Sequence, residues 1–125
     1  MKALVVDDDV YCLKLTGDYL RYKGFEVTEL LTPNCSADKT EQGVFSTYDV
    51  VVSDNRMPGM TGVEFLDYLS SAECPLPPER KALLTGDITQ IEFSHAVERG
   101  YRVFRKPCSL ESLDHWLAEI FPDLD

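Results

Sequence analysis

Five short apolar runs, Ala3–Val6, Phe25–Leu30, Val50–Ser53, Ala82–Thr85 and Tyr101–Arg105, punctuate an otherwise polar chain. Val5-Val6 and Val50-Val51-Val52 are unbroken and β-branched, as in strands covered on both faces. The intervening segments have helical spacing instead. Val10–Tyr22 places Val10, Leu13, Gly17 and Leu20 on one stripe, with Gly24 just beyond as a stop. Val63, Leu66 and Leu69 recur in Gly62–Ser71; Ile88, Ile91 and Val97 in Ile88–Glu98; Leu110, Leu113, Leu117 and Ile120 in Leu110–Ile120. Ser36–Ser46 is polar and interrupted by Gly43, which predicts a short or frayed helix. Strand alternating with helix five times predicts an α/β fold, a doubly wound parallel sheet with helices on both faces. Right-handed crossovers restrict it to a few strand orders.

With 125 residues and 44% apolar content the chain can bury one core, so residues 1–125 are expected to form a single domain. The Pro-rich stretch Cys74-Pro75-Leu76-Pro77-Pro78 reads as an extended connection into the fourth strand. Twelve basic residues against 22 acidic ones leave a formal charge of −10. Such a surface opposes sequence-independent nucleic-acid binding, which needs Lys and Arg to displace phosphate counterions, and opposes docking on anionic lipid. No window approaches the ~18 apolar residues of a membrane span. The run before Asp7 is too short for a secretory signal, so a cytoplasmic domain is expected. Cys12, Cys35, Cys74 and Cys108 are far apart with no Cys-x-x-Cys pair, and His95 and His115 lack ligating neighbours. Free thiols follow, not a zinc site.

In open α/β sheets the ligand site lies beyond the carboxyl ends of the strands. Those ends deliver Asp7 and Asp8 from strand 1, Asp54 from strand 3, Thr85 from strand 4 and Lys106 from strand 5. If strands 1 and 3 are neighbours, three carboxylates converge, and like charges at that range raise one another's pKa values or recruit a cation. Oxygen-only ligands favour a hard ion, and Mg2+ takes one or two carboxylates while keeping waters. The remaining carboxylate is then available as a nucleophile forming an aspartyl phosphate. A Thr85 hydroxyl and a Lys106 ammonium suit the oxygens of a transferring phosphoryl group. The acidic run also fits a helix N-terminus, which accounts for Asp9 but not for an Asp on strand 3. Thr85 could equally N-cap the helix that begins near Ile88.

Val5-Val6-Asp7-Asp8-Asp9, Asp54-Asn55-Arg56-Met57-Pro58-Gly59-Met60-Thr61-Gly62, Leu84-Thr85-Gly86 and Lys106-Pro107 together resemble the receiver domain of two-component response regulators, from Ala3 to about Ile120. The resemblance implies a flavodoxin-like five-stranded sheet of order 2-1-3-4-5. It implies that Asp54 is the phosphoacceptor for a sensor histidine kinase or histidine phosphotransfer protein. Asp8 would ligate Mg2+ directly, Asp7 largely through water, with Asp54 and the main-chain carbonyl of Arg56 as further ligands. Thr85 and Lys106 would hold the phosphoryl oxygens, and the Lys106–Pro107 peptide would be cis. An effector or output domain would use the helix 4–strand 5–helix 5 face, which here carries Arg99, Arg102 and Arg105 near Arg80-Lys81.

The sequence departs from the family at strand 5. Receivers place Tyr or Phe three residues before the lysine, where the ring swings inward as the strand-4 Thr moves; here that residue is Val103, with Tyr101 and Phe104 nearby. Arg56 and Asp87 sit two residues past Asp54 and Thr85, so they are expected to approach each other across the pocket mouth. Gly86 should leave the pocket open to a donor. Trp116 and Phe121 are expected in the core. Two other functions compete: a haloacid-dehalogenase-like phosphatase with Asp7 as nucleophile in Asp7-x-Asp9, and a receiver-like scaffold independent of phosphorylation. No output domain is evident in these residues, so the chain acts alone or as a module of a longer regulator.

Overall fold

The structure, a computed structural model, describes residues 1–32, 48–71, 76–107 and 109–123. The expected helix Ser36–Ser46 and three of the four cysteines, Cys35, Cys74 and Cys108, fall outside them; Cys12 is a free thiol. The described elements are β1 (Lys2–Val6), α1 (Val10–Tyr22), β2 (Glu26–Leu30), β3 (Val50–Ser53), α2 (Gly62–Ser71), β4 (Lys81–Thr85), α3 (Gln90–Arg99), β5 (Arg102–Arg105) and α4 (Leu110–Ile120), with a 3-10 turn at Pro78–Arg80 before β4. All neighbouring strand pairs are parallel and the order is β2-β1-β3-β4-β5.

Strand side chains alternate between faces, and each face has its own core. Leu4, Val6, Val51 and Leu83 pack with Val63, Leu66 and Leu69 of α2 and Ala96 of α3. Ala3, Val5, Val50, Val52, Ala82 and Leu84 pack with Leu13 and Leu20 of α1 and Leu113, Trp116 and Leu117 of α4. Burial on both sides is why β1, β3 and β4 read as unbroken apolar runs. Trp116 is fully buried, edge-on to Phe104, and its indole N–H donates to the Glu79 carbonyl. Phe121 is also in the core.

Three helices depart from the stripes expected of them; in α4 the first stripe residue, Leu110, is exposed. In α1 Val10 is exposed, and Thr16 is buried in the stripe instead. Helix α3 starts at Gln90, not Ile88, since Thr89 forms a capping box with Glu92. Its sheet-facing residue is Ala96, while Ile91 and Val97 are exposed. Thr89, rather than Thr85, caps this helix.

Candidate functional site at the carboxyl edge of the sheet

Backbone bonds extend the parallel ladder one residue past the strands and set the positions of the chemical groups. Asp7 N–H donates to the Leu30 carbonyl, Asp54 N–H to that of Val6, and Lys106 N–H to that of Thr85. Strands 1 and 3 are neighbours in register Val6↔Ser53, so Asp7 and Asp54 must emerge side by side. One ligand oxygen from each of Asp7, Asp8 and Asp54 lies within 4.8 Å of the others. Lys106 reaches over them from β5, with Nζ 3.1 Å from Asp7 Oδ2 and 3.6 Å from Asp54 Oδ2.

Asp7 and Asp54 are buried and Asp8 is exposed. Burial, then the charge of Asp7, pushes the Asp54 carboxyl up to about 7; Lys106 opposes the rise, a hydrogen bond with Asp8 adds to it, and the Asn55 N–H on Oδ1 opposes it. The group is thus held near neutrality by surroundings that a cation would relieve. Lys106 is pushed up by its bond to Asp7 and the charges of Asp7 and Asp54, against its own burial. Asp9, the third acidic residue of the run, caps α1 by accepting from Tyr11 N–H, and its own N–H donates to Asp7 Oδ1.

Gly62 is required by this arrangement. A Cβ there would overlap the Asp54 carbonyl oxygen and lie 2.7 Å from Leu83 Cδ2. At Gly86, which is exposed, a Cβ would meet only Lys106 Cβ, at 3.7 Å. The Lys106–Pro107 peptide is cis.

Thr85 is buried at the carboxyl end of β4 and its hydroxyl is engaged within its own turn: Oγ1 donates to the Asp87 carbonyl at 2.9 Å and accepts from Asp87 N–H at 3.0 Å. Arg56 and Asp87 do meet, Nε to Oδ2 at 3.3 Å. Sequence reading missed Glu92, which also grips Arg56 and fully buried Asn55. Its only local signal, Thr three residues before Glu, marks a capping box.

A family model, the response regulator receiver domain, matches residues 3–118. The chain belongs to the response regulator receiver family. Over 77 residues this receiver is 34% identical to the two-component response regulator ORR26 of Oryza sativa subsp. japonica, a match covering 62% of this chain and 13% of that protein. It therefore aligns with a small part of that relative. Its fold is similar to a response regulator receiver domain protein from Clostridium thermocellum, with a TM-score of 0.79 and 24% identity over 97% of this chain and 94% of the other. Vibrio cholerae chemotaxis protein CheY4 gives a TM-score of 0.73 and 25% identity over 96% of this receiver and 98% of that chain. Receiver domains bind Mg2+ at an acidic pocket, and Asp7, Asp8 and Asp54 form such a cluster here. Among the described residues no helix is long and apolar enough to cross a membrane.

Proposed function

We propose that this receiver is a Mg2+-dependent phosphoacceptor switch that takes a phosphoryl group from a phosphohistidine onto Asp54. The observation that carries the reading is three carboxylates within 4.8 Å of one another under a single lysine ammonium. An oxygen of the ionised Asp54 carboxylate attacks phosphorus, a P–O bond forms, the P–N bond to the donor imidazole breaks with its electron pair going to nitrogen, and the imidazole leaves as the neutral ring after taking a proton from solvent. Asp7, Asp8, Asp54 and the main-chain carbonyl of Arg56 would hold Mg2+, which would supply positive charge for the phosphoryl oxygens. An all-oxygen donor set fits that ion.

Lys106 neutralises the oxygens from the β5 side, as its reach to Asp54 supports. Thr85 joins them once its hydroxyl leaves the Asp87 carbonyl. Asp7 serves as a ligand, not a nucleophile: Oδ1 accepts from Asp9 N–H and Lys106, and Oδ2 lies beside Lys106. Arg56 paired with Asp87 at the mouth hinders attacking water and prolongs the acyl phosphate. The domain assists its own phosphorylation and dephosphorylation without turning over a metabolite, so it is not an enzyme in the ordinary sense.

The donor is a sensor histidine kinase or a histidine phosphotransfer protein. The effector or output domain docks on the α3–β5–α4 face, where Arg99, Arg102 and Arg105 are exposed. Such signalling places the chain in the cytoplasm. Incubation with acetyl phosphate and Mg2+, read by intact mass, should give one phosphoryl adduct in wild type and none in Asp54→Asn. Steady donor turnover by wild type, with an adduct that survives Asp54→Asn and is lost in Asp7→Asn, would instead indicate the phosphatase chemistry, and no adduct in any form the scaffold.

A further inference from the structure

In this receiver the residues after the acceptor are clasped to the start of α3. Asn55 Nδ2 donates to the Asp87 carbonyl at 3.3 Å and to Glu92 Oε1 at 3.2 Å, while its Oδ1 accepts from Val63 N–H. The Arg56 guanidinium bonds Glu92 in a fork, Nη1 to Oε2 at 3.1 Å and Nη2 to Oε1 at 2.8 Å, and reaches Asp87 through Nε. Glu92 Oε1 also accepts from Thr89 N–H. One carboxylate thus joins the acceptor loop to the cap of α3.

The same segment holds Thr85 back. For its hydroxyl to reach a phosphoryl oxygen on Asp54 it must release the Asp87 carbonyl, and Asp87 is itself tied down by Asn55 and Arg56. Val103, paired with Leu83 in the sheet, offers no ring to follow that movement. We infer that Glu92 is a positioning residue that, through Arg56 and Asn55, latches the resting arrangement of the β4–α3 turn and so restrains phosphorylation of Asp54. The inference rests on the reading of Asp54 as phosphoacceptor. A ligand-driven two-state element responds to whatever stabilises one state alone, and a part-exposed fork is worth a small factor.

The test compares variants of the 125-residue chain by rate of adduct formation with acetyl phosphate and Mg2+, with amide exchange of residues 86–93 followed without ligand. Glu92→Gln keeps an acceptor for the capping box but loses the ion pair. It should phosphorylate about two- to fivefold faster and exchange faster in that segment. Arg56→Ala should also be faster, and the double variant no faster than Arg56→Ala. Simple charge removal would push the two single variants in opposite directions, because the donor is an anion; the latch pushes both upward. Thr89→Ala, which removes the cap hydroxyl but leaves the fork, should keep the wild-type rate. Glu92→Gln at or below the wild-type rate, a slower Arg56→Ala, additive effects, or a faster Thr89→Ala would each overturn the latch. A wild type that takes up no phosphoryl group would overturn the acceptor reading and the latch with it.

Discussion

Asp54 occupies a position where desolvation and a neighbouring carboxylate outweigh a nearby ammonium. Its carboxyl titrates near 7 in the folded chain and near 3.8 when unfolded, so its ionisation opposes folding. The penalty is absent below about pH 4, grows through the interval and is complete above about pH 7. Without Mg2+, Asp54→Asn should be more stable than wild type at pH 8 by between about 1 and 4 kcal/mol, with the gap closing as pH falls to 4, in urea unfolding. Gly62 is constrained for a different reason: a methyl there has nowhere to go except into the Asp54 carbonyl and Leu83. Gly62→Ala should cost roughly 2 kcal/mol in the same assay and, by displacing Asp54, slow the phosphorylation proposed for it.

At the scale of elements, α2 is tied to β5 and α3 by half-buried polar contacts. Tyr101, buried at the start of β5, donates its hydroxyl to Asp67 Oδ1 of α2 at 2.6 Å, and His95 Nε2 of α3 lies 2.7 Å from Asp67 Oδ2. Tyr101, the aromatic on the same face of the sheet as Val103, is therefore fastened to a neighbouring helix and is not placed to swing like the usual ring. Tyr101→Phe keeps the packing and removes one hydrogen bond to a carboxylate. It should lower stability by about 1 to 2 kcal/mol by thermal unfolding, while leaving the adduct on Asp54 intact. These ties were hidden in the sequence: Asp67 and Tyr101 lie 34 residues apart, and neither stands in a motif. By contrast, the boundaries of α1, α2 and α4 were legible to the residue, because each buried one face and carried a periodic apolar stripe. Helix α3 was the least legible; its buried residue is the small Ala96 while Ile91 and Val97 are exposed, so its larger apolar residues did not mark the buried side.

Over the whole molecule, a net charge of −10 surrounds a site that concentrates three of the carboxylates at one edge. Any salt relieves diffuse repulsion, whereas the proposed site predicts an additional effect of a divalent ion at the edge itself. Millimolar Mg2+ should therefore raise the midpoint of thermal unfolding beyond NaCl of equal ionic strength, as binding to the native state alone requires. In Asp7→Asn, which removes one carboxylate of the cluster and a close partner of Lys106, the two salts should act nearly alike. Equal effects in wild type would mean that the edge does not bind the ion.

The chain's own order of residues determined the number and kind of layers, the strand-end positions of Asp7, Asp8, Asp54, Thr85 and Lys106, and the place of Asp9 at the start of a helix. Each of these follows from what a local segment must bury or terminate, and local segments declare that in their spacing. Tertiary structure alone decided that Lys106 spans Asp7 and Asp54, that the Thr85 hydroxyl is turned into its own loop, and that Glu92 grips Asn55 and Arg56 from 37 and 36 residues away. Those pairings arise because parallel crossovers bring distant loops to one edge of the sheet, where an unremarkable surface glutamate meets a buried amide and a guanidinium that no periodicity connects to it.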